Sequence, residues 1–179
     1  MSNEKWDKRF LDLAVLVASW SKDPSTQTGA VIVTADRKGV FIGYNGFPRP
    51  MFDMEHLYAD REQKYSRIIH CEMNALLQAG PAAEGATLYT WPFASCDRCF
   101  VHMAQGGIKR FVAPRLTGER AERWEPSLRK TRMYSVEMGL QLDEIEYEPQ
   151  VKVDVAGVQE NQRAWDKYQA SRNIILGGK

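Results

Sequence analysis

His70-Cys71-Glu72-Met73-Asn74-Ala75, followed 26 positions after its histidine by Cys96-Asp97-Arg98-Cys99, is the stretch whose reading decides this chain. One imidazole and two thiolates suit a tetrahedral Zn²⁺. Three protein ligands leave the fourth position to water, as a catalytic zinc requires and a structural zinc does not. Glu72 is then free of the metal and close enough to carry a proton. Taken alone, Cys96-x-x-Cys99 is equally a structural half-site, a redox pair or chance. The histidine and the carboxylate upstream make a hydrolytic zinc site the expectation, with His70, Cys96 and Cys99 as ligands and Glu72 as the acid–base. Cys71 could compete as a ligand, but reads first as a small buried apolar residue. His56 and His102 read as ordinary histidines, not as a second metal site.

Outward from that stretch, 179 residues suffice for one domain with a full core. The expected division is a catalytic domain over 1–149 and a tail over 150–179 carrying one more helix. Lys and Arg number 24 against 23 Asp and Glu, a balance that speaks against a dedicated nucleic-acid binder. The charge is uneven, however: Lys109 to Arg132 holds eight basic and three acidic residues. Three cysteines, two of them in a Cys-x-x-Cys, with no apolar N-terminal segment, predict a reduced metal site in a cytoplasmic protein. No apolar run approaches the roughly 18 residues of a membrane span.

Apolar spacing predicts a helix over Lys5 to Trp20, where Trp6, Phe10, Leu13 and Val17 recur on one face until Pro24 intervenes. Thr28 to Thr34 and Val40 to Tyr44 read as a hairpin about the turn at Asp36-Arg37-Lys38-Gly39. A rigid loop follows at Asn45-Gly46-Phe47-Pro48-Arg49-Pro50. Met51 to Arg67 is polar and poorly periodic; Arg61, Lys64 and Arg67 at i, i+3, i+6 read first as a solvated helix face and second as a phosphate-facing patch. Further helices are expected at His70–Ala79, Asp97–Gly106, Pro126–Met138 and Gln159–Asn173. Further strands are expected at Ala86–Trp91, Ile108–Ala113 and Leu140–Tyr147. Strands joined by single helices should be parallel and the hairpin antiparallel. The result is an α/β three-layer domain, a mixed five-stranded sheet with helices on both faces. Both metal-binding segments fall where helices begin, so two helix N-termini should converge on the zinc and favour thiolate.

A His-x-Glu followed by a Cys-x-x-Cys is the signature of zinc nucleobase deaminases. From Trp6 to about Tyr147 the chain resembles the cytidine and deoxycytidylate deaminase family, on its deoxycytidylate-acting side. The resemblance extends beyond the metal motif to Ser21-Lys22-Asp23-Pro24-Ser25-Thr26-Gln27-Thr28-Gly29-Ala30-Val31-Ile32-Val33, Gly43-Tyr44-Asn45-Gly46-Phe47-Pro48 and Gln105-Gly106-Gly107-Ile108-Lys109-Arg110. It implies the cytidine-deaminase-like fold and hydrolysis of the 4-amino group of dCMP, or of a 5-substituted dCMP, to the dUMP-type product and ammonia. It also implies a homo-oligomer, often a hexamer, regulation of some members by nucleoside triphosphates, and contact of Asn45 with the nucleotide. A 5′-phosphate needs a cationic pocket, for which Lys22, Arg49, Lys64 and Arg67 are the candidates. Two positions depart from the family: Ser95 stands where it usually has proline, and Cys71 where it usually has alanine. The competing readings are a deaminase of the same fold acting on a tRNA adenosine, a free base or a nucleoside, and a non-catalytic zinc or nucleotide-binding module. Glu72, which a structural site does not need, counts against the module.

Overall fold

A computed structural model of the chain describes residues 4–51 and 54–153. Five strands form one sheet: β1 (Gly29–Val33), β2 (Val40–Tyr44), β3 (Thr87–Trp91), β4 (Arg110–Pro114) and β5 (Gln141–Ile145), in the order β2-β1-β3-β4-β5. The hairpin partners β1 and β2 are antiparallel, and β3, β4 and β5 are parallel to one another. β1 also pairs antiparallel with β3. The expected mixed sheet of five strands is therefore present, with the hairpin folded so that its first strand lies inside.

Alternation along β1 divides the core. Ala30 and Ile32 point to one face, where α4 (Cys71–Ala79) and α5 (Asp97–Gln105) supply Ala75, Phe100 and Met103. Val31 and Val33 point to the other, against Leu11 and Ala14 of α1 (Glu4–Ala18). Both faces are thus covered, which makes the domain three-layered. Two glycines set the depth of that packing. A Cβ on Gly29 would stand 2.1 Å from the Ala14 carbonyl oxygen, and one on Gly43 would stand 2.4 Å from the Ala75 nitrogen. Only glycine lets α1 and α4 lie this close to the sheet, and α4 carries the first metal-binding segment.

Asp7 of α1 is buried and ties three strands together. It accepts two parallel hydrogen bonds from Arg110, each 2.8 Å, and one of 2.9 Å from the Tyr89 hydroxyl. Arg110 continues to Asp143 of β5 at 2.8 Å.

Two segments differ from their expected form. The polar stretch before His70 contains two short helices, α2 (Glu55–Ala59) and α3 (Arg61–Arg67). Asp60 separates them and caps α3, its carboxylate accepting from the Glu62 and Gln63 amides. The second difference is α6, which runs over Glu119–Glu137 with Pro126 inside it, so Pro126 does not begin the helix. An interior proline forfeits one helical hydrogen bond and crowds the preceding turn. Packing on both sides of it offsets that cost: Trp124 lies 4.8 Å from Phe93, and Leu128 is fully buried beside Phe93, Ala94 and Ala113. The helix expected at Gln159–Asn173 lies outside the described residues. Among the described residues, no helix is long and apolar enough to cross a membrane.

Candidate active site

His70 and Cys96 are the N-caps of α4 and α5, both in extended backbone conformation. The two helices start side by side, which brings His70, Cys96 and Cys99 together with all three ligand atoms within 4.8 Å of one another. His70 Nδ1 lies 3.6 Å from Cys96 Sγ and 3.3 Å from Cys99 Sγ. Zn–S and Zn–N bonds at a tetrahedral angle place nitrogen and sulfur about 3.6 Å apart. The donor set and its spacing therefore fit a zinc ion. None of the three cysteines is in a disulfide, and Cys96 Sγ also accepts the Cys99 amide at 3.5 Å.

The charges of the three groups are interlocked. Cys99 and His70 hydrogen-bond to Cys96 and lower its pKa from 9.0 to about 5. The Cys96 sulfur in turn raises His70 from 6.5 to about 9, with Glu72 and Asp23 adding to the effect. Cys99 is raised, because Cys96 holds its proton and burial disfavours a second thiolate. Without metal the triad thus rests as thiolate, imidazolium and thiol.

Glu72 lies in the first turn of α4, buried and on the same pocket wall as His70 and Cys96. Cys71 is also buried, as expected, and stays off the ligand set. It is more than filler: its thiol donates to Glu72 Oε2 at 3.2 Å. Burial, then the Glu72 charge, push the Cys71 thiol well above its ordinary range, so the donor keeps its proton. His102 is exposed, and among the described residues no second cluster of metal-binding groups exists.

The expected substrate contacts meet a mixed outcome. Asn45 does line the pocket, but its amide hydrogens are bonded to Asp23 Oδ2 at 3.1 Å and the Thr26 carbonyl at 3.0 Å. Its Oδ1 accepts from the Thr28 amide at 2.8 Å. One lone pair on that oxygen is what remains for a ligand. Of the four candidate cations, only Lys64 lines the pocket. The reading of Lys64 as part of a solvated helix face is corrected: it is buried, its ammonium 2.6 Å from Asp23 Oδ1 and hydrogen-bonded to Ser25 Oγ. Lys22 and Arg49 are exposed, and Arg67 turns back to the Gln63 carbonyl at 3.0 Å; none of the three lines this pocket. The reason is geometric, since three residues per step carries Lys64 and Arg67 progressively around the helix.

Arg123 and Trp124 of α6 complete the pocket from a region the sequence reading left out of any helix. Arg123 is exposed, donates to the Tyr65 hydroxyl at 2.9 Å and lies 5.7 Å from the Trp124 ring. The basic excess between Lys109 and Arg132 was the one signal that pointed here. The false helix start at Pro126 hid it.

The sequence profile described as "Cytidine and deoxycytidylate deaminase zinc-binding region" matches residues 4–114. An "uncharacterized deaminase in luxG 3′region" of Aliivibrio fischeri is 42% identical over 120 residues, which is 67% of this chain and 80% of that protein. The deoxycytidylate deaminase of Mus musculus is 35% identical over 114 residues, covering 60% of this chain and 64% of the mouse enzyme. The match to the mouse enzyme thus falls just short of two thirds of its length. The apo crystal structure of the dCMP deaminase from cyanophage S-TIM5 superimposes with a TM-score of 0.60 at 18% identity, covering 81% of this chain and 100% of that one. At that identity the likeness is one of fold.

Proposed function

Because this chain belongs to the cytidine and deoxycytidylate deaminase family by its zinc-binding region, we propose that it hydrolyses the 4-amino group of dCMP, or of a 5-substituted dCMP, to the dUMP-type product and ammonia. The observation that carries the reading is the buried carboxylate of Glu72 on the wall shared with His70 and Cys96. His70, Cys96 and Cys99 would hold the zinc, which when bound supplies a water acidic enough to be deprotonated near pH 7. Glu72 would accept a proton from the water as the water adds to C4 of the pyrimidine, and would pass it to N3. The same carboxylate would then carry the proton of the new C4 hydroxyl to the amino group, so that the C4–N bond breaks, the C4 carbonyl forms and ammonia leaves. The Cys71 thiol holds one oxygen of Glu72 while this happens. Thr90 and Asn45 offer buried polar atoms to the nucleotide.

For the 5′-phosphate, Arg123 takes the place of the cations read from the sequence. It is the exposed guanidinium of the pocket lining, whereas the Lys64 charge is already committed to Asp23. Charge-assisted contacts contribute roughly 1.5–3 kcal/mol each. Two of them separate dCMP from deoxycytidine by roughly two to four orders of magnitude in kcat/KM. The assay is ammonia release from dCMP, CMP, deoxycytidine and a tRNA by zinc-loaded protein. Equal turnover of dCMP and deoxycytidine overturns the nucleotide reading, and turnover of the tRNA alone moves the chain to another substrate class. Glu72→Gln should lower turnover of dCMP by at least roughly two orders of magnitude, the usual worth of general acid–base catalysis, with zinc near one per chain.

The same reading includes a cytoplasmic homo-oligomer, up to a hexamer, and control by nucleoside triphosphates. Support for assembly comes from Trp20, Tyr44 and Leu77, large apolar side chains that are 48%, 41% and 70% exposed around the edge strand β2. Light scattering gives the subunit number, and added nucleoside triphosphates in the same assay test the control.

A further inference from the structure

Cys96 sits in the turn Ser95-Cys96-Asp97 that leads into α5, and both of its neighbours are held by α6. Thr131 Oγ1 donates to the Ser95 carbonyl at 2.9 Å. Ser127 Oγ accepts the Asp97 amide at 3.0 Å and donates to Asp97 Oδ1 at 2.6 Å. Lys130 Nζ stands 3.5 Å from the other carboxylate oxygen. Ser127 and Thr131 are four apart, so they lie on one face of the helix, a turn from each other. Thr131 is fully buried.

The deaminase signature has proline at the position of Ser95. A proline ring would set the backbone torsion of this turn by itself. Serine does not, and among the described residues the Ser95 hydroxyl is buried without a hydrogen-bond partner, so it adds no restraint of its own. What restrains the turn is α6, a helix that lies outside the matched residues 4–114.

We propose that α6 clamps the metal-binding turn: Ser127 and Thr131 are positioning residues that hold Cys96 in its ligand geometry, replacing the rigidity of the proline. This rests on the reading of His70, Cys96 and Cys99 as zinc ligands. A ligand held in place loses no freedom on binding, and removal of such supporting contacts typically costs 10- to 100-fold in metal affinity.

The test is zinc affinity, measured by chelator competition on the full chain. The Ser127→Ala, Thr131→Val double variant should bind zinc roughly 10- to 100-fold more weakly. Thr131→Ser, which keeps the donor, should bind within about twofold of the unaltered protein, and Thr131→Val alone should not. Ser95→Pro added to the double variant should recover the affinity, because the ring supplies the restraint the clamp no longer gives. Arg132→Gln controls for general weakening of α6, since the Arg132 guanidinium hydrogen-bonds Glu125 and Glu144 and not Ser95 or Asp97. It should lower the denaturation midpoint and leave zinc affinity within about twofold. Unchanged affinity in the double variant, or an equal loss in Arg132→Gln, overturns the clamp. If Cys96→Ala binds zinc as well as the unaltered protein, the metal reading has failed; if it loses zinc while the double variant does not, the clamp alone has failed.

Discussion

Lys64→Met tests whether an ion pair beneath the pocket wall supports the loop that carries Asp23, Ser25 and Thr26. The side chains of Lys64 and Asp23 are 9% and 4% exposed, and their charges are 2.6 Å apart. Removing one partner of a buried pair costs about 3–5 kcal/mol, because the other charge stays behind unpaired. Two features put this case at the lower end. Methionine fills most of the space of the lysine stem, so the cavity contribution is small. Asp23 also keeps its other donors: the Ser25 amide and hydroxyl at 2.9 Å, the Thr26 amide at 3.3 Å and the Asn45 amide at 3.1 Å. The expected loss is about 3 kcal/mol, which for a chain of this size lowers Tm by about 6–12 °C. Urea denaturation and calorimetry of the zinc-loaded protein measure it. Asp23→Asn in the Lys64→Met background should recover a large part of the loss, since the unpaired charge is then gone. A loss below about 1 kcal/mol would place Lys64 among solvated surface cations, as its spacing with Arg61 and Arg67 suggests, and would refute the buried pair.

Cys96→Ala should abolish stoichiometric zinc, whereas Cys71→Ala should retain it; metal analysis of the two purified variants separates ligand from neighbour. At pH 7 the metal-free triad holds protons on His70, raised to about 9, and on Cys99, but none on Cys96, lowered to about 5. Zinc needs a neutral imidazole and two thiolates, so uptake should release about two protons. The raised His70 favours the metal-free fold below pH 6.5 and ceases to as pH climbs through about 9; the lowered Cys96 favours it above 9 and ceases to as pH falls through about 5. Between pH 5 and 9 the apparent zinc affinity should therefore rise about 100-fold per pH unit, and a tenfold rise or less in chelator competition at pH 6 and 7 contradicts that proton count. Asp7→Ala should destabilise the fold by about 3–5 kcal/mol in urea, by leaving Arg110 without its bidentate partner, and should leave KM for dCMP unchanged because the network lies off the pocket.

The local part of this molecule was legible from its residues. Strand-forming runs set β1 to β5 within a residue or two of their expected bounds. His70, Cys96 and Cys99 stood out as a group able to hold a metal, with Glu72 beside it, because ligand type and spacing are properties of the chain itself. Cys71 was legible as buried, and its hydrogen bond to Glu72 was not, since a thiol beside an apolar face looks the same either way. Burial of Lys64 and commitment of the Asn45 amide depend on the Ser21 to Thr28 loop folding over them, a contact between segments about 20 to 40 residues apart. The same holds for α6. Proline disfavours a helix interior locally, and only the packing of Trp124 and Leu128 on Phe93 and Ala113 outweighs it. That packing brings Arg123 to the pocket mouth and Ser127 and Thr131 to the metal-binding turn. Sequence thus determined which residues could form a metal site with a carboxylate beside it, because ligand chemistry is carried by residue type. Tertiary structure decided which charges remain available to a substrate and what holds the ligands still, because both are set by neighbours distant along the chain.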